Sequence, residues 1–278
     1  METAKTLLVP FDFTIVAEYA FAHAQSISTV TKQAIKLLHV ATKDEDIASI
    51  KSSLGEVARK LAQRYEVEVP EIIVKKGGLS EMIAETSVEY NASMVIMGTH
   101  GPKGFQKIFG SRALKVIIGS KIPFIVVQDF PVHKTYEKVL LPIDYRSESK
   151  DKAKWADFLF GAFKNKLIIV HARFKDKNLK SNIQKNIMFC KRHLDNNGVP
   201  YEIISFDDTN TNGKFLVEYA KQNEIDLILM NTIKGMTFMD MLLGTAEQSI
   251  IANKYKIPVM VVIPKPPILG SGFSSTGS

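Results

Sequence analysis

Short apolar runs alternate with longer segments of helical spacing along the first half of the chain. The runs are bounded by turn-forming residues, which is typical of strands buried on both faces of a parallel sheet. We predict strands at Leu7–Val9, Ile35–Val40, Ile72–Val74, Met94–Met97 and Phe124–Val127. We predict helices at Ala17–Ile27, Ala48–Tyr65, Leu79–Tyr90 and Arg112–Ile118. This alternation predicts an α/β fold, an open parallel sheet covered by helices on both faces.

The pattern of the first half recurs in the second half. Pro10 and Asp12 follow the first apolar run and recur as Pro142 and Asp144, an offset of 132 residues (144 − 12). Other segments recur in the same order at similar offsets: Leu37–Asp44 as Ile169–Asp176, Ser93–Gly98 as Asp226–Asn231, and Lys121–Val127 as Lys256–Val262. Such a series indicates a duplication. We predict two repeats, residues 1–130 and 131–264, and a flexible tail rich in proline, glycine and serine, residues 265–278.

Composition narrows the class of protein. A hydrophobic fraction of 45% and a charged fraction of 23% are typical of a soluble globular protein. The net charge of +7 permits anion binding, but the cations are spread along the chain and form neither a basic stripe nor a nucleic-acid-reading motif. The single cysteine, Cys190, excludes a disulfide within the chain and fits the cytoplasm. We expect no membrane span, because no stretch of about 18 apolar residues occurs, and no signal peptide.

The segment Gly98–Ser111 follows the fourth predicted strand, and its glycines suit a phosphate-binding loop. Ligands of open parallel sheets bind beyond the carboxyl ends of the strands, where the strand order reverses. Backbone N–H groups of a glycine-rich loop and the start of a helix at Ser111 can hold an anion there. From Gly98 to Lys115 the charged residues are all cations, Lys103, Lys107, Arg112 and Lys115, a sum of +4. The alternative is a plain strand-to-helix turn whose glycines serve geometry only.

Asp12 and His100 are the candidate polar contacts beside this loop. Asp12 can accept a hydrogen bond from a ribose hydroxyl or an adenine amine, and His100 can touch a phosphate. The alternative for Asp12 is a helix cap, made by Asp12 itself or by Thr14. His39 and its counterpart His171 are expected to satisfy local hydrogen bonds. We predict no metal site, because no cluster of ligands occurs at a suitable spacing, and no Ser-His-Asp or Cys-His arrangement.

These motifs resemble the universal stress protein family, in a tandem form. The resemblance rests on Pro10-Phe-Asp12, on Gly98-Thr-His-Gly101 and on Gly110-Ser111. It implies doubly wound five-stranded parallel sheets in the order 3-2-1-4-5, as in the adenine nucleotide alpha hydrolase-like fold, with the two repeats paired through strand five. It also implies an ATP site made by an aspartate, a valine after strand two and the glycine loop. The residues we assign to binding are Pro10, Asp12, Val40, Gly77, Gly98, His100, Gly101, Gly110, Ser111 and Arg112.

The sequence departs from the family pattern at several places. Eight residues separate Gly101 from Gly110, where nine are usual, and Pro102 removes one N–H group from the loop. The second repeat has Asn231 and Lys234 in place of the two leading glycines, and its charge from Asn231 to Gln248 is −1. We therefore predict that the second repeat has lost nucleotide binding. Because the second repeat lacks the leading glycines, we infer that the fold tolerates their loss and that the path of the chain does not itself require them.

The sequence-based prediction is a regulatory protein of the stress response. Its first repeat would bind ATP or another adenine nucleotide, with Mg²⁺ where the nucleotide carries it, and without efficient catalysis. An unidentified partner protein would recognise the nucleotide-bound form. The chain can also form a homodimer, in addition to the pairing of its two repeats. One alternative is an interaction or chaperone-like member without a nucleotide, which the short loop and Pro102 favour. The other alternative is a weak ATPase.

Overall fold

The structure is a computed structural model that describes residues 5–42, 45–100, 122–132, 135–207, 213–231, 250–251 and 253–262. The strands of the first half are β1 Thr6–Pro10, β2 Ala34–Ala41, β3 Glu71–Lys76, β4 Ala92–Gly98 and β5 Phe124–Val127. Its helices are α1 Ile15–Thr31, α2 Ile47–Tyr65 and α3 Leu79–Glu89. All five predicted strands and the first three predicted helices are therefore present. The predicted helix Arg112–Ile118 lies outside the described residues.

The second half repeats this order of elements. Its strands are β6 Lys138–Ile143, β7 Lys166–Arg173, β8 Tyr201–Asp207, β9 Leu227–Asn231 and β10 Val259–Val262. Its helices are α4 Lys152–Phe163, α5 Lys177–Asn196 and α6 Gly213–Gln222, and a 3-10 helix at Ser147–Asp151 precedes α4. No such 3-10 helix precedes α1 in the first half, where the turn Phe11–Thr14 leads directly into the helix.

One ten-stranded sheet runs through both halves, in the order β3-β2-β1-β4-β5-β10-β9-β6-β7-β8. The expectation of two sheets is corrected here, because β5 and β10 pair antiparallel and join the halves into a single sheet. The other neighbouring strands pair in parallel, so each half keeps the order 3-2-1-4-5. Pairing at β5 and β10 removes two apolar edges that would otherwise expose unpaired backbone groups.

The core lies in two layers, one on each face of the sheet. Neighbouring residues of a strand point to opposite faces, so Leu7 joins one layer and Leu8 the other. Each layer contains side chains from both halves. At the joint between the halves, Ile125 of β5 pairs with Met260 of β10, and both are fully buried. The apolar core is therefore continuous across the joint.

Matching caps begin the second helix of each half. The Asp46 carboxylate accepts hydrogen bonds from the backbone N–H groups of Ala48 at 3.4 Å and Ser49 at 2.9 Å. Asp176 does the same for Asn178 and Leu179, both at 2.9 Å. A carboxylate at this position satisfies free N–H groups and complements the helix dipole. The caps fix the starts of α2 and α5 at equivalent places.

Candidate functional site

The strand order of the first half reverses between β1 and β4, and the predicted site lies at the carboxyl ends of these strands. β1 pairs with β2 on one side and with β4 on the other. Because all three strands are parallel, the chain leaves them at one edge of the sheet. The structure thereby places five predicted residues along one edge: Pro10, Asp12, Val40, Gly98 and His100.

The carboxylate of Asp12 is exposed at this edge. Its Oδ1 accepts hydrogen bonds from the backbone N–H of Thr14 at 3.1 Å and from the Thr14 hydroxyl at 2.5 Å. Thr14 is the N-cap residue of α1, yet no side chain caps this helix. The helix-cap alternative therefore holds for Thr14 by position only, because its hydroxyl bonds Asp12 and not the helix, and it is wrong for Asp12, which lies before the N-cap. Among the described residues, Oδ2 of Asp12 has no hydrogen-bond partner, and the carboxylate forms no ion pair.

Phe13 adopts a left-handed backbone conformation beside Asp12, with a φ of 63°. That conformation costs a residue other than glycine on the order of 1 kcal/mol. The phenyl ring contacts the rings of Phe11 and His39, with centroids 5.9 and 5.0 Å away, yet it stays 42% exposed. His39 also bonds through Nδ1 to the Phe11 carbonyl at 2.7 Å, which is the local role expected of it. The turn therefore presents an aromatic ring at this edge of the sheet, which we call the first crevice.

Gly98 is required by the path of the chain. A Cβ at this position would lie 2.0 Å from the carbonyl oxygen of Val16 in α1. Real Cβ atoms do not approach a backbone oxygen so closely, so the end of β4 can contact α1 only through glycine. The inference that the leading glycines are not needed by the fold is thus wrong for Gly98. It failed because the second half has a different helix start.

Asn231 replaces Gly98 in the second half and contacts the 3-10 helix. Its Nδ2 donates a short hydrogen bond to the Glu148 carbonyl, within Ser147–Asp151. The first half has no counterpart of this turn, and α1 there contacts the end of β4 directly. The contact between the end of the fourth strand and the start of the first helix therefore differs between the halves. In the first half a glycine allows close approach, and in the second half the backbone before the helix is different.

The remaining predicted residues have different settings. Val40 is half-buried and packs against the core. Gly77 has a φ of 152°, and it follows Lys76, which pairs with Ala41 at the end of β2. His100 is exposed. Four further assigned residues lie outside the described residues: Gly101, Gly110, Ser111 and Arg112.

The carboxylate of Asp144, the counterpart of Asp12, is held by its own half. Oδ1 accepts from the backbone N–H of Arg146 at 3.0 Å, and Oδ2 accepts from the guanidinium of Arg146, at 2.7 Å from Nε. Burial opposes ionisation of Asp144, but the Arg146 hydrogen bonds and the charge of Lys152 outweigh it and hold the pKa of the carboxyl below its usual value. This carboxylate is already neutralised by neighbouring cations.

Lys152 interacts electrostatically with Asp144 and is only 5% exposed. Its ammonium donates a short hydrogen bond to the Pro142 carbonyl. Burial lowers the pKa of Lys152 to about 8, although the Asp144 carboxylate acts in the opposite direction. Asn186 donates from Nδ2 to the carbonyls of Asp144 at 2.9 Å and Arg146 at 2.7 Å. Protein side chains therefore occupy the strand ends of the second half.

Sequence reasoning missed the residues that make the two halves differ, although the repeat contained the signal. At the offset of 132, Arg146 stands where the first half has Thr14, and Lys152 stands where it has the buried Ala20. A lysine at a core position needs a hydrogen-bond or charge partner. An arginine two residues after an aspartate can form an ion pair with that aspartate. Phe13 was missed for a different reason, since its exposure depends on a backbone conformation that no motif encodes.

Neither a metal-binding cluster nor a membrane-spanning helix occurs among the described residues. Within the described ranges, no group of three or more histidine, cysteine, aspartate or glutamate side chains is arranged to hold a metal ion. No helix among the same residues has the length and apolar character needed to cross a bilayer. Cys190 is a free and buried thiol, and burial raises its pKa to about 11. An un-ionised thiol is a poor nucleophile.

Comparison with known proteins identifies the first half. Residues 3–128 match the model of the universal stress protein family. A universal stress protein of Methanocaldococcus jannaschii is 27% identical over 153 residues, and the alignment covers 45% of this chain and 94% of that protein.

Solved structures extend the likeness in fold to nearly the whole chain. A universal stress protein from Archaeoglobus fulgidus matches 93% of this chain and 96% of its own, with a TM-score of 0.71 at 21% identity. A functionally unknown protein from Pseudomonas aeruginosa matches 94% of this chain and 93% of its own, with a TM-score of 0.61 at 16% identity. Residues 3–128 are a domain of the universal stress protein family.

Proposed function

We propose that the chain is a tandem universal stress protein with repeats at residues 1–130 and 131–264. Its first repeat binds ATP or a related adenine nucleotide as a regulatory ligand in the stress response. The observation that carries this proposal is the contrast between two equivalent carboxylates. Asp12 is exposed with a free Oδ2 among the described residues, whereas Asp144 is bound by Arg146 and flanked by Lys152.

The residues at the first crevice suit the parts of an adenine nucleotide. The Asp12 carboxylate can accept from a ribose hydroxyl or an adenine amine, and Val40 supplies an apolar wall beside the base. The glycine segment and Ser111 would receive the phosphates, assisted by Arg112 and His100. Mg²⁺ would enter with the nucleotide, because triphosphates carry it. Pro10 and Gly77, which we also assign to the site, would shape the ends of β1 and β3 around the ligand.

The second repeat would act as a structural partner of the first. Its aspartate cannot take a ligand without first losing the Arg146 hydrogen bonds. Displacing that guanidinium would also disrupt the charge balance among Arg146, Asp144 and the buried Lys152. Breaking such a buried set of charges is costly. Efficient catalysis is not part of the proposal, because the loop from Gly98 to Ser111 contains no carboxylate to serve as a general base. We place the protein in the cytoplasm because its one cysteine is a free thiol.

Isothermal titration with ATP tests the proposal on the full chain. We expect saturable heat with the parent protein, none with Asp12→Ala, and unchanged affinity with Asp144→Ala. Asp144→Asn is the second control, because it keeps an acceptor for Arg146 if removal of the carboxylate destabilises the fold. Absence of heat from the folded parent protein at high micromolar ATP would overturn nucleotide binding. Equal weakening by Asp12→Ala and Asp144→Asn would overturn the assignment to one repeat.

The second candidate function is an interaction module without a nucleotide. The packing of Gly98 against Val16 favours it, because this glycine has a structural reason that needs no phosphate. The same titration separates the candidates. A phosphate-release assay addresses weak ATPase activity: release that persists in Gly101→Val would be attributed to contamination.

A further inference from the structure

The outward face of α5 exposes two large apolar side chains next to each other. Met188 is 70% exposed and Phe189 is 39% exposed, although both lie in the middle of a regular helix. On the opposite face of α5, Ile183, Cys190 and Leu194 are buried, and Cys190 and Leu194 belong to the core. The exposure is therefore not explained by packing of this helix against the sheet.

The fold does not require apolar residues at these two positions. The outward face of α2, the equivalent helix of the first half, exposes charged side chains, among them Glu56, Arg59 and Lys60. None of the exposed residues of α2 is a large apolar one. The same architecture is thus compatible with a charged outward face on this helix, and the apolar pair calls for another explanation.

Cations surround the apolar pair. Helical spacing brings Lys185, Lys191 and Arg192 to the neighbourhood of Met188, at three residues before it and three and four after it. From residue 177 to residue 194 the helix has five cations and no acid; the cations are Lys177, Lys180, Lys185, Lys191 and Arg192. None of the three beside Met188 forms an ion pair within the part of the chain that the structure describes. The outward face of α2, in contrast, includes the acid Glu56 among its cations.

The phenyl ring of Phe189 is held in place by two neighbours. The Lys150 ammonium, from the adjoining 3-10 helix, lies 5.4 Å from the ring centroid. The His193 ring stacks in parallel, with centroids 6.4 Å apart and an interplanar angle of 2°. His193 in turn faces Asp157 of α4, with 3.7 Å between Nε2 and Oδ2. A ring fixed before binding loses little conformational entropy in a complex.

We propose that this face, defined by Lys150, Lys185, Met188, Phe189 and Arg192, binds an acidic segment of a partner protein that carries an apolar anchor. Unpaired cations recognise carboxylates, and a fixed aromatic ring beside an adaptable methionine suits a buried anchor. An anionic membrane fits less well, because insertion requires a continuous apolar helix face, and that face of α5 is turned to the sheet. The proposal is independent of nucleotide binding by the first repeat.

Fluorescence anisotropy with the full chain tests this interaction surface. The probe is a labelled peptide of aspartate and glutamate around a central Leu-Phe pair. We expect saturable binding that weakens as ionic strength rises to about 0.15 M. We expect about a tenfold loss of affinity on Met188→Ser or Phe189→Ser, and loss of binding on combining Lys185→Glu with Arg192→Glu. All four substituted side chains are exposed.

The equivalent helix of the first half supplies the matched control. Arg59→Glu with Lys60→Glu changes the charge as much as the double variant in α5 does, and it should leave peptide binding unchanged. Equal loss in the two double variants would mean non-specific attraction by net charge and would overturn the proposal. Tighter binding to phosphatidylserine vesicles or to an oligonucleotide than to the peptide would also overturn it.

Discussion

The Tyr136 hydroxyl donates a hydrogen bond of 3.0 Å to Nδ1 of His23, and this contact connects α1 to the segment that leads into β6. The direction follows from the other ring nitrogen. Nε2 lies 3.2 Å from the Asp129 carbonyl, which only accepts, so Nε2 carries the proton and Nδ1 is the acceptor. Asp129 itself is paired with Lys256 at 2.9 Å. The joint between the halves therefore has a polar connection besides the β5–β10 pairing.

Stability should fall in mild acid because His23 is buried neutral. Burial lowers the pKa of His23 from 6.5 to about 4. Between these values the unfolded chain binds a proton that the folded chain does not, so the free energy of unfolding falls as pH decreases from about 6.5 to about 4. The shift corresponds to roughly 3 kcal/mol over the whole window. Replacing His23 by Gln should reduce this slope, as measured by urea unfolding at several pH values.

Lys152 provides an internal comparison in a separate pH window. Its pKa falls from 10.5 to about 8 on folding, so its contribution to pH dependence lies between those values. In that window the unfolded chain keeps a proton on Lys152 that the folded chain has lost, so Lys152→Met should remove a rise in the free energy of unfolding between about pH 8 and pH 10.5, well above the window of His23. An unaltered acid slope in His23→Gln would contradict the assignment of that slope to His23.

Gly98→Ala should destabilise the protein even without a ligand. The new Cβ would overlap the Val16 carbonyl, and the backbone on both sides would have to move. We expect a loss of about 3 kcal/mol or more in the free energy of unfolding, which is the upper range for overpacking. Asn231→Ala is the matched variant. It should cost no more than about 1 kcal/mol, because it removes one hydrogen bond and also a buried Oδ1 that has no partner among the described residues.

These measurements separate structure from ligand binding. Both variants are unfolded by urea in nucleotide-free buffer and followed by circular dichroism. If Gly98→Ala were as stable as the parent protein, the close approach of β4 to α1 could not be the reason for this glycine.

Unfolding of the two halves should be coupled through the joint. Ile125 is fully buried and pairs with Met260 across it, so Ile125→Ala should cost about 3 kcal/mol. The one tryptophan, Trp155, lies in the second half and is buried, so its fluorescence reports on the core around that residue. We expect the fluorescence and circular dichroism transitions to shift together. A fluorescence midpoint equal to that of the parent protein would show that the halves unfold independently, and Val69→Ala, an exposed change, is the control.

The sequence predicted the elements of the fold because each strand is a short apolar run and each half repeats the other. The family resemblance implied that the repeats pair through strand five, but we expected two sheets, and the antiparallel pairing of β5 with β10 makes one. The predicted site residues before Gly101 lie at one edge because parallel strands end there. The role of Gly98 was misjudged, because a close approach to Val16 leaves no trace in the sequence. The Arg146–Asp144 pair could have been predicted only by comparing the two repeats position by position.

Phe13 should contribute to nucleotide affinity by stacking on the adenine. Its ring is exposed at the crevice, beside the free oxygen of Asp12, and the left-handed backbone that holds it there is costly for a phenylalanine. Stacking of a base on an aromatic ring contributes about 1–3 kcal/mol. Phe13→Leu should therefore weaken ATP binding by about fivefold or more in titration calorimetry, whereas Phe13→Trp should preserve it.

Tyr145 stands at the equivalent position of the second half, is 43% exposed and contacts the ring of Phe174. Tyr145→Leu is the matched control and should leave ATP affinity unchanged, because Asp144 beside it is already bound by Arg146. The comparison also separates stacking from the general assignment of the site. Loss of binding in Asp12→Ala with full affinity in Phe13→Leu would reject stacking by this ring while keeping the nucleotide at the first crevice.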